Sequence, residues 1–175
     1  MTLVSDRAQA PGKKPVDYEI AVRNNDPRII TALPITKNGE ALLIWQYRIP
    51  MRRYVLENVA GLVDAGMTPV GTVVKEILEE TGYSVSEKNV VDLQITTPTS
   101  SGATTEKVEC FAAFDAEFAG EQRLEAAEEI AVVRLPLATA FETALATAAA
   151  GELVDAKVFA LLAVVKARYA EIFRK

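Results

Sequence analysis

Apolar residues recur along this chain in two rhythms. In the first half they form short strand-like runs, from Tyr18 to Val22 and from Arg28 to Thr36, with Asn24-Asn25-Asp26-Pro27 as the predicted turn between them. Lys37-Asn38-Gly39-Glu40 is a hairpin signal, and the run ALLIWQYRIP after it predicts the partner strand. Further strands are predicted at Tyr54–Ala60, Val90–Thr96, Val108–Phe114 and Ile130–Leu135. The helical rhythm dominates near the C-terminus. Ala138–Ala149 forms one predicted helix, closed by Gly151, and about Asp155–Phe173 forms another. In the last, Val158, Leu161, Leu162, Val165 and Tyr169 recur near three-four spacing, which describes a packing face. Residues 1–15 show no periodicity and are expected to be a flexible arm, leaving 16–175 as one domain without internal repeats.

One helix in the middle of the chain breaks this apolar logic. Thr68-Pro69 is a start signal, because threonine can accept from the first free N–H groups and proline fits the first helical position. Gly82 is the stop, since glycine tolerates the left-handed conformation that ends many helices. Between them Glu76, Glu79 and Glu80 stand at i, i+3 and i+4 and share one face. Like charges so placed repel by a few tenths of a kcal/mol per pair. Either the face is simply solvated, or a divalent cation gathers the carboxylates around a cleft. The preceding segment favours the cation: an apolar run ends at Ala60, and a small-residue turn lies between Gly61 and Gly66. A strand, a glycine loop and a carboxylate helix suit a metal–diphosphate.

Composition narrows the chemistry. The chain has no histidine, which removes His-based triads, His general acid–base catalysis and His-ligated zinc. Any metal would therefore be held by oxygen, pointing to Mg2+, with Mn2+ as the alternative. A net charge of −5 argues against nucleic-acid binding, whereas a small phosphate-bearing ligand fits if a cation supplies the positive field. No apolar run is long enough to span a bilayer and no signal-peptide core stands at the N-terminus, so no membrane association is expected. The single cysteine, Cys110, sits in the apolar run VECFAAF; it reads as a core residue and fits a reducing cytoplasm.

The spacing around this helix resembles the signature of the Nudix hydrolases: Gly, five residues, Glu, seven residues, then Arg-Glu-hydrophobic-x-Glu-Glu-x-Gly-hydrophobic. Here it reads Gly61, Met67, then Lys75-Glu76-Ile77-Leu78-Glu79-Glu80-Thr81-Gly82-Tyr83, matching seven of nine specified positions. Met67 removes one carboxylate, and Lys75 keeps the charge of the usual Arg without its planar fork. Gln46-Tyr47-Arg48 and Leu56-Glu57-Asn58-Val59-Ala60-Gly61 resemble segments of the ADP-ribose pyrophosphatase branch, with Val59 where proline is usual.

The resemblance implies an α/β fold, an α/β/α sandwich around a mixed β-sheet. It implies metal ligation by Glu76, Glu79, Glu80 and the Ala60 carbonyl, and substrate contacts from Arg48, Glu57, Gly102 and Glu128. The proton of the attacking water would go to Glu106 or to Glu79 of the helix. Each has a plainer reading: Arg48 as a surface residue, Glu57 as a partner of Arg52 or Arg53, Glu106 as an exposed loop–strand residue, and Glu128 as part of a solvated charge run. The implied reaction is Mg2+-dependent hydrolysis of a nucleoside diphosphate derivative, ADP-ribose giving AMP and ribose 5-phosphate, in a homodimer joined through N-terminal strands. Another nucleotide sugar, or a nucleotide-binding module weakened by Met67, are the alternatives.

Overall fold

The computed structural model describes residues 2–23 and 26–174. In chain order the elements are β1 (Thr2–Ala8), β2 (Val16–Val22), β3 (Ile29–Thr36), β4 (Glu40–Arg48), β5 (Arg53–Glu57), β6 (Val59–Leu62), α1 (Pro69–Thr81), β7 (Tyr83–Ser84), β8 (Val90–Pro98), β9 (Lys107–Phe118), β10 (Ile130–Pro136), α2 (Ala140–Ala149), β11 (Leu153–Val154) and α3 (Ala156–Arg168). Strands β3 to β11 build one mixed sheet, in which β3–β9 and β11–β5 are parallel pairs and the others antiparallel.

Period-two alternation divides the core into two layers. Ile30 and Ala32 of β3, Leu42 and Ile44 of β4 and Phe111 of β9 meet Val73 and Ile77 of α1. The intervening residues Leu33, Ile35, Leu43, Cys110 and Ala112 meet Val158, Leu161, Leu162 and Val165 of α3 and Ala140 and Ala144 of α2. The result is the expected α/β/α sandwich, with Cys110 buried in its core.

The feature that positions the site is a split in the sheet. β3 and β4 pair at Ile35 and Ala41 beside their hairpin and then diverge. Residues 53–62 fill the gap, pairing first with β4 as β5 and then with β3 as β6. Because β4 runs opposite to β3, and β9 parallel to it, Arg48, Ala60-Gly61 and the segment before Lys107 gather at one end of the sheet.

Several expectations need correction. Residues 2–15 are not a structureless arm: Thr2–Ala8 pairs with Val16–Val22 around a turn in which the Lys13 N–H donates to the Ala10 carbonyl at 3.0 Å. Its first strand gave no signal because nearly all of its residues are exposed, so no buried face imposes an alternation, whereas Tyr18–Val22 of the second is the strand expected there. The last helix ends at Arg168 instead of continuing, and 170–174 form a short 3-10 turn. β9 runs on to Phe118, and the two-residue strands β7 and β11 carry too few residues for any period to show. Of the turn expected at 24–27, Asn24 and Asn25 lie outside the described residues.

Candidate active site

Local chemistry sets α1 where its sequence signals place it. The Thr68 hydroxyl accepts from the Gly71 N–H at 3.0 Å, Pro69 opens the first turn, and Gly82 closes the helix with φ 73°. With Val73 and Ile77 turned into the core, the neighbouring Glu76 and Glu80 are carried inward beside them.

Glu80 is 2% exposed. The Ala60 N–H donates to its Oε2 over 3.4 Å, a long bond for a buried carboxylate. Burial, and then repulsion from Glu76 and Glu128, pushes the Glu80 carboxyl up to about 9, and neither the Ala60 amide nor Arg48 offsets this. Glu76 is also raised, chiefly by burial, with Lys75 opposing and Glu79 and Glu128 adding to it. Its carboxylate lies against the backbone at Gly61, where an added Cβ would come within 2.4 Å of Cδ and Oε1. Gly61 is thus required for close approach.

The other expected residues divide into two groups. Arg48 belongs with the acidic helix: its guanidinium feels Glu80, and its Nε donates to Glu57 Oε1 at 2.7 Å while Nη2 holds the other oxygen. Glu57 therefore pairs with Arg48; neither Arg52 nor Arg53 takes it, and Arg53 reaches Glu152 at 3.3 Å. Glu57 uses one edge of the guanidinium, so the remaining donors can still meet a phosphate. Glu128 bears on both Glu76 and Glu80, so it faces the cluster and is not part of a wholly solvated run. Its carboxylate also accepts from the Glu125 N–H at 2.9 Å.

The second group is tied to the N-terminal hairpin. Glu106 accepts from Arg23 Nε at 2.6 Å, the Gly102 carbonyl accepts from the Tyr18 hydroxyl at 3.0 Å, and the Ala103 carbonyl accepts from the Ala21 N–H at 2.8 Å. Glu79 meets Lys75 at 3.5 Å, sharing that ammonium with Glu76. Two contacts went unread in the sequence. Gln122 Nε2 clasps the Glu80 and Ile130 carbonyls, and Asp64 meets Lys75 at 3.3 Å. For Asp64 the signal was available, as an acid inside the glycine loop.

Among the described residues no three metal-ligating side chains converge into a ready-made cage. The electrostatics nonetheless leave a place for a cation. Glu76 and Glu128 both oppose a charge on the buried Glu80, at the C-terminal end of a helix whose last turn has no basic residue. The dipole there is itself negative. Glu76, Glu80 and the Ala60 carbonyl offer only oxygen donors, which could hold a hard divalent ion.

A family model described as the NUDIX domain matches residues 26–162. An ADP-ribose pyrophosphatase of Bacillus subtilis (strain 168) is 30% identical over 132 residues, covering 75% of this chain and 68% of that protein. A GDP-mannose pyrophosphatase of Escherichia coli (strain K12) is 33% identical over 156 residues, covering 82% and 74%. A crystal structure of an ADP compounds hydrolase superposes with a TM-score of 0.75 over 100% of this chain and 95% of that one, at 19% identity, which shows a shared fold. The match over most of the chain shows that it belongs to the Nudix hydrolase family.

Proposed function

We propose that the protein hydrolyses the diphosphate bond of a nucleoside diphosphate derivative with Mg2+, and that ADP-ribose, giving AMP and ribose 5-phosphate, is its substrate. The observation that carries this reading is the buried Glu80, beside Glu76 and Glu128 and against Ala60-Gly61, in a chain of this family. Mn2+ satisfies the same oxygen donors.

Diphosphate cleavage needs negative charge neutralised on the phosphoryl oxygens and a proton removed from water. The bound cation supplies Lewis acidity and a water of lowered pKa. Glu76 and Glu80 hold it, Ala60 adds its carbonyl, and Glu79 steadies the helix face through Lys75. Arg48, kept in place by Glu57, turns its free edge to the phosphates. Glu128 faces the same cluster and helps orient the substrate. Glu106 is the base we favour over Glu79, on the condition that it exchanges Arg23 for the water; Gly102 keeps that loop against β2.

The hairpin also supports a homodimer. An isolated two-stranded sheet is marginal in water, and this one exposes Leu3 at 70% and Val16 at 56%, apolar area that a second copy would cover. We place the protein in the cytoplasm, where a lone buried thiol such as Cys110 stays reduced. Among the described residues no helix is long and apolar enough to cross a membrane.

A second substrate, GDP-mannose, is favoured by the longer match to the E. coli pyrophosphatase. The test is release of nucleoside monophosphate from ADP-ribose, GDP-mannose and other nucleotide sugars, with Mg2+ and with EDTA. Mg2+-dependent AMP release, fastest from ADP-ribose, is the expected result. GMP released faster from GDP-mannose selects the second substrate, and tight binding of every nucleotide without turnover sinks the hydrolase reading.

A further inference from the structure

The loop before α1 lacks the carboxylate that its spacing would place at residue 67. Met67 stands there, half-exposed and without a charge. Three residues earlier, Asp64 Oδ2 lies 3.3 Å from Lys75 Nζ. The same ammonium reaches Glu76 Oε1 at 3.4 Å and Glu79 Oε2 at 3.5 Å. The ammonium donates to Asp64 and to Glu76 and forms an ion pair with Glu79, so three carboxylates share its one charge. Of the three, Asp64 alone comes from outside the helix.

Which oxygen Lys75 touches matters. Glu76 Oε1 is also an atom that crowds the backbone at Gly61, so one oxygen lies beside both the ammonium and the Ala60-Gly61 backbone. Were Asp64 absent, the ammonium would be shared by Glu76 and Glu79 alone and would rest more heavily on that oxygen. A lysine is a compact, strongly hydrated point charge on a flexible stem, free to make this shift in a way a planar guanidinium is not.

We propose that Asp64 is a positioning residue: through Lys75 it stands in for the carboxylate missing at Met67, drawing the ammonium off Glu76 so that Glu76 can hold a divalent cation. The inference rests on the metal-dependent reading above. It requires the Asp64 effect to pass through Lys75 and to be replaceable by an acid at residue 67.

Bound Mn2+, measured by electron paramagnetic resonance, tests this in wild type, Asp64→Asn, Lys75→Met, the double variant, and Asp64→Asn with Met67→Glu. Asp64→Asn should weaken Mn2+ binding about three- to fivefold, the scale of one partly exposed ion pair. The Mg2+ concentration for half-maximal hydrolysis should rise in parallel, and the lost activity should return as Mg2+ is raised. Met67→Glu should restore the affinity in the Asp64→Asn background, and the Asp64→Asn effect should vanish when Lys75 is already methionine. An Asp64→Asn protein with wild-type Mn2+ affinity overturns the proposal. So does an effect undiminished in the Lys75→Met background, or a failure of Met67→Glu to restore binding. A wild-type protein that binds no Mn2+ overturns the metal-dependent reading itself, a distinguishable result.

Discussion

Helices α1 and α3 are the same length, 13 residues each, and pack on opposite faces of one sheet. Both begin with a side-chain cap, Thr68 on the Gly71 N–H and Asp155 on the Lys157 N–H. From there they diverge. α3 buries Val158, Leu161, Leu162 and Val165 and places Lys166 and Arg168 in its last turn, where they complement the helix dipole; Arg168 also donates to the Leu93 carbonyl at 2.7 Å. α1 buries Thr72, Glu80 and Thr81 among its apolar residues and sets Glu79 and Glu80 against the dipole. One helix follows the rules of stability and the other departs from them. The departures cluster on the face proposed to hold the cation, which is why α1 can be read as a site and α3 as scaffold.

That contrast can be broken most sharply at Glu80. Glu80→Gln keeps the volume and removes the charge, so Mg2+-dependent nucleotide hydrolysis should fall by about 10²–10⁴ in kcat while circular dichroism stays that of the wild type. A variant that retains its rate would return α1 to the role of scaffold. The counterpart on the other face is Leu162→Ala. Leu162 is 1% exposed, so its truncation should cost about 2–5 kcal/mol in urea unfolding, with kcat per folded molecule unchanged. A comparable loss of kcat at full folding would mean the two faces are not separable.

The most gradual effect concerns pH. In EDTA the folded protein keeps a proton on Glu80 up to about 9, whereas an ordinary Glu releases it near 4.5. Folding therefore takes up a proton between those values, and stability is full at low pH and declines as pH rises towards 9. The slope contributed by this residue is at most about 1.4 kcal/mol per pH unit. Urea midpoints at pH 5, 7 and 9 should show the decline in wild type and a flatter course in Glu80→Gln. No comparable dependence is expected to arise from α3, whose buried residues carry no titratable group.

Legibility from sequence followed the range of the interaction. The limits of α1 were readable because Thr68, Pro69 and Gly82 act within a turn of themselves. The sharing of one face by Glu76 and Glu80 was readable because helical geometry alone imposes it. The pairing of Arg48 with Glu57 was not, since it depends on the register of β4 against β5. Nor was the hold of Arg23 on Glu106, which spans 83 residues of chain. Of the N-terminal hairpin, Thr2–Ala8 stayed hidden because its residues, largely exposed, answer to no core.

By itself the sequence determined the helix, its caps, the spacing of its carboxylates and the alternation that sorts the core into two layers. These are short-range consequences of backbone geometry and of the side chain's affinity for water. Only the tertiary structure decided which carboxylate would be starved of water and which would be left to a lysine. Glu79 and Glu80 are adjacent in the chain, yet Glu80 is buried beneath the split sheet while Glu79 meets Lys75 at 3.5 Å. Charge acquires its chemistry from its surroundings, and those surroundings are assembled from strands far apart in sequence.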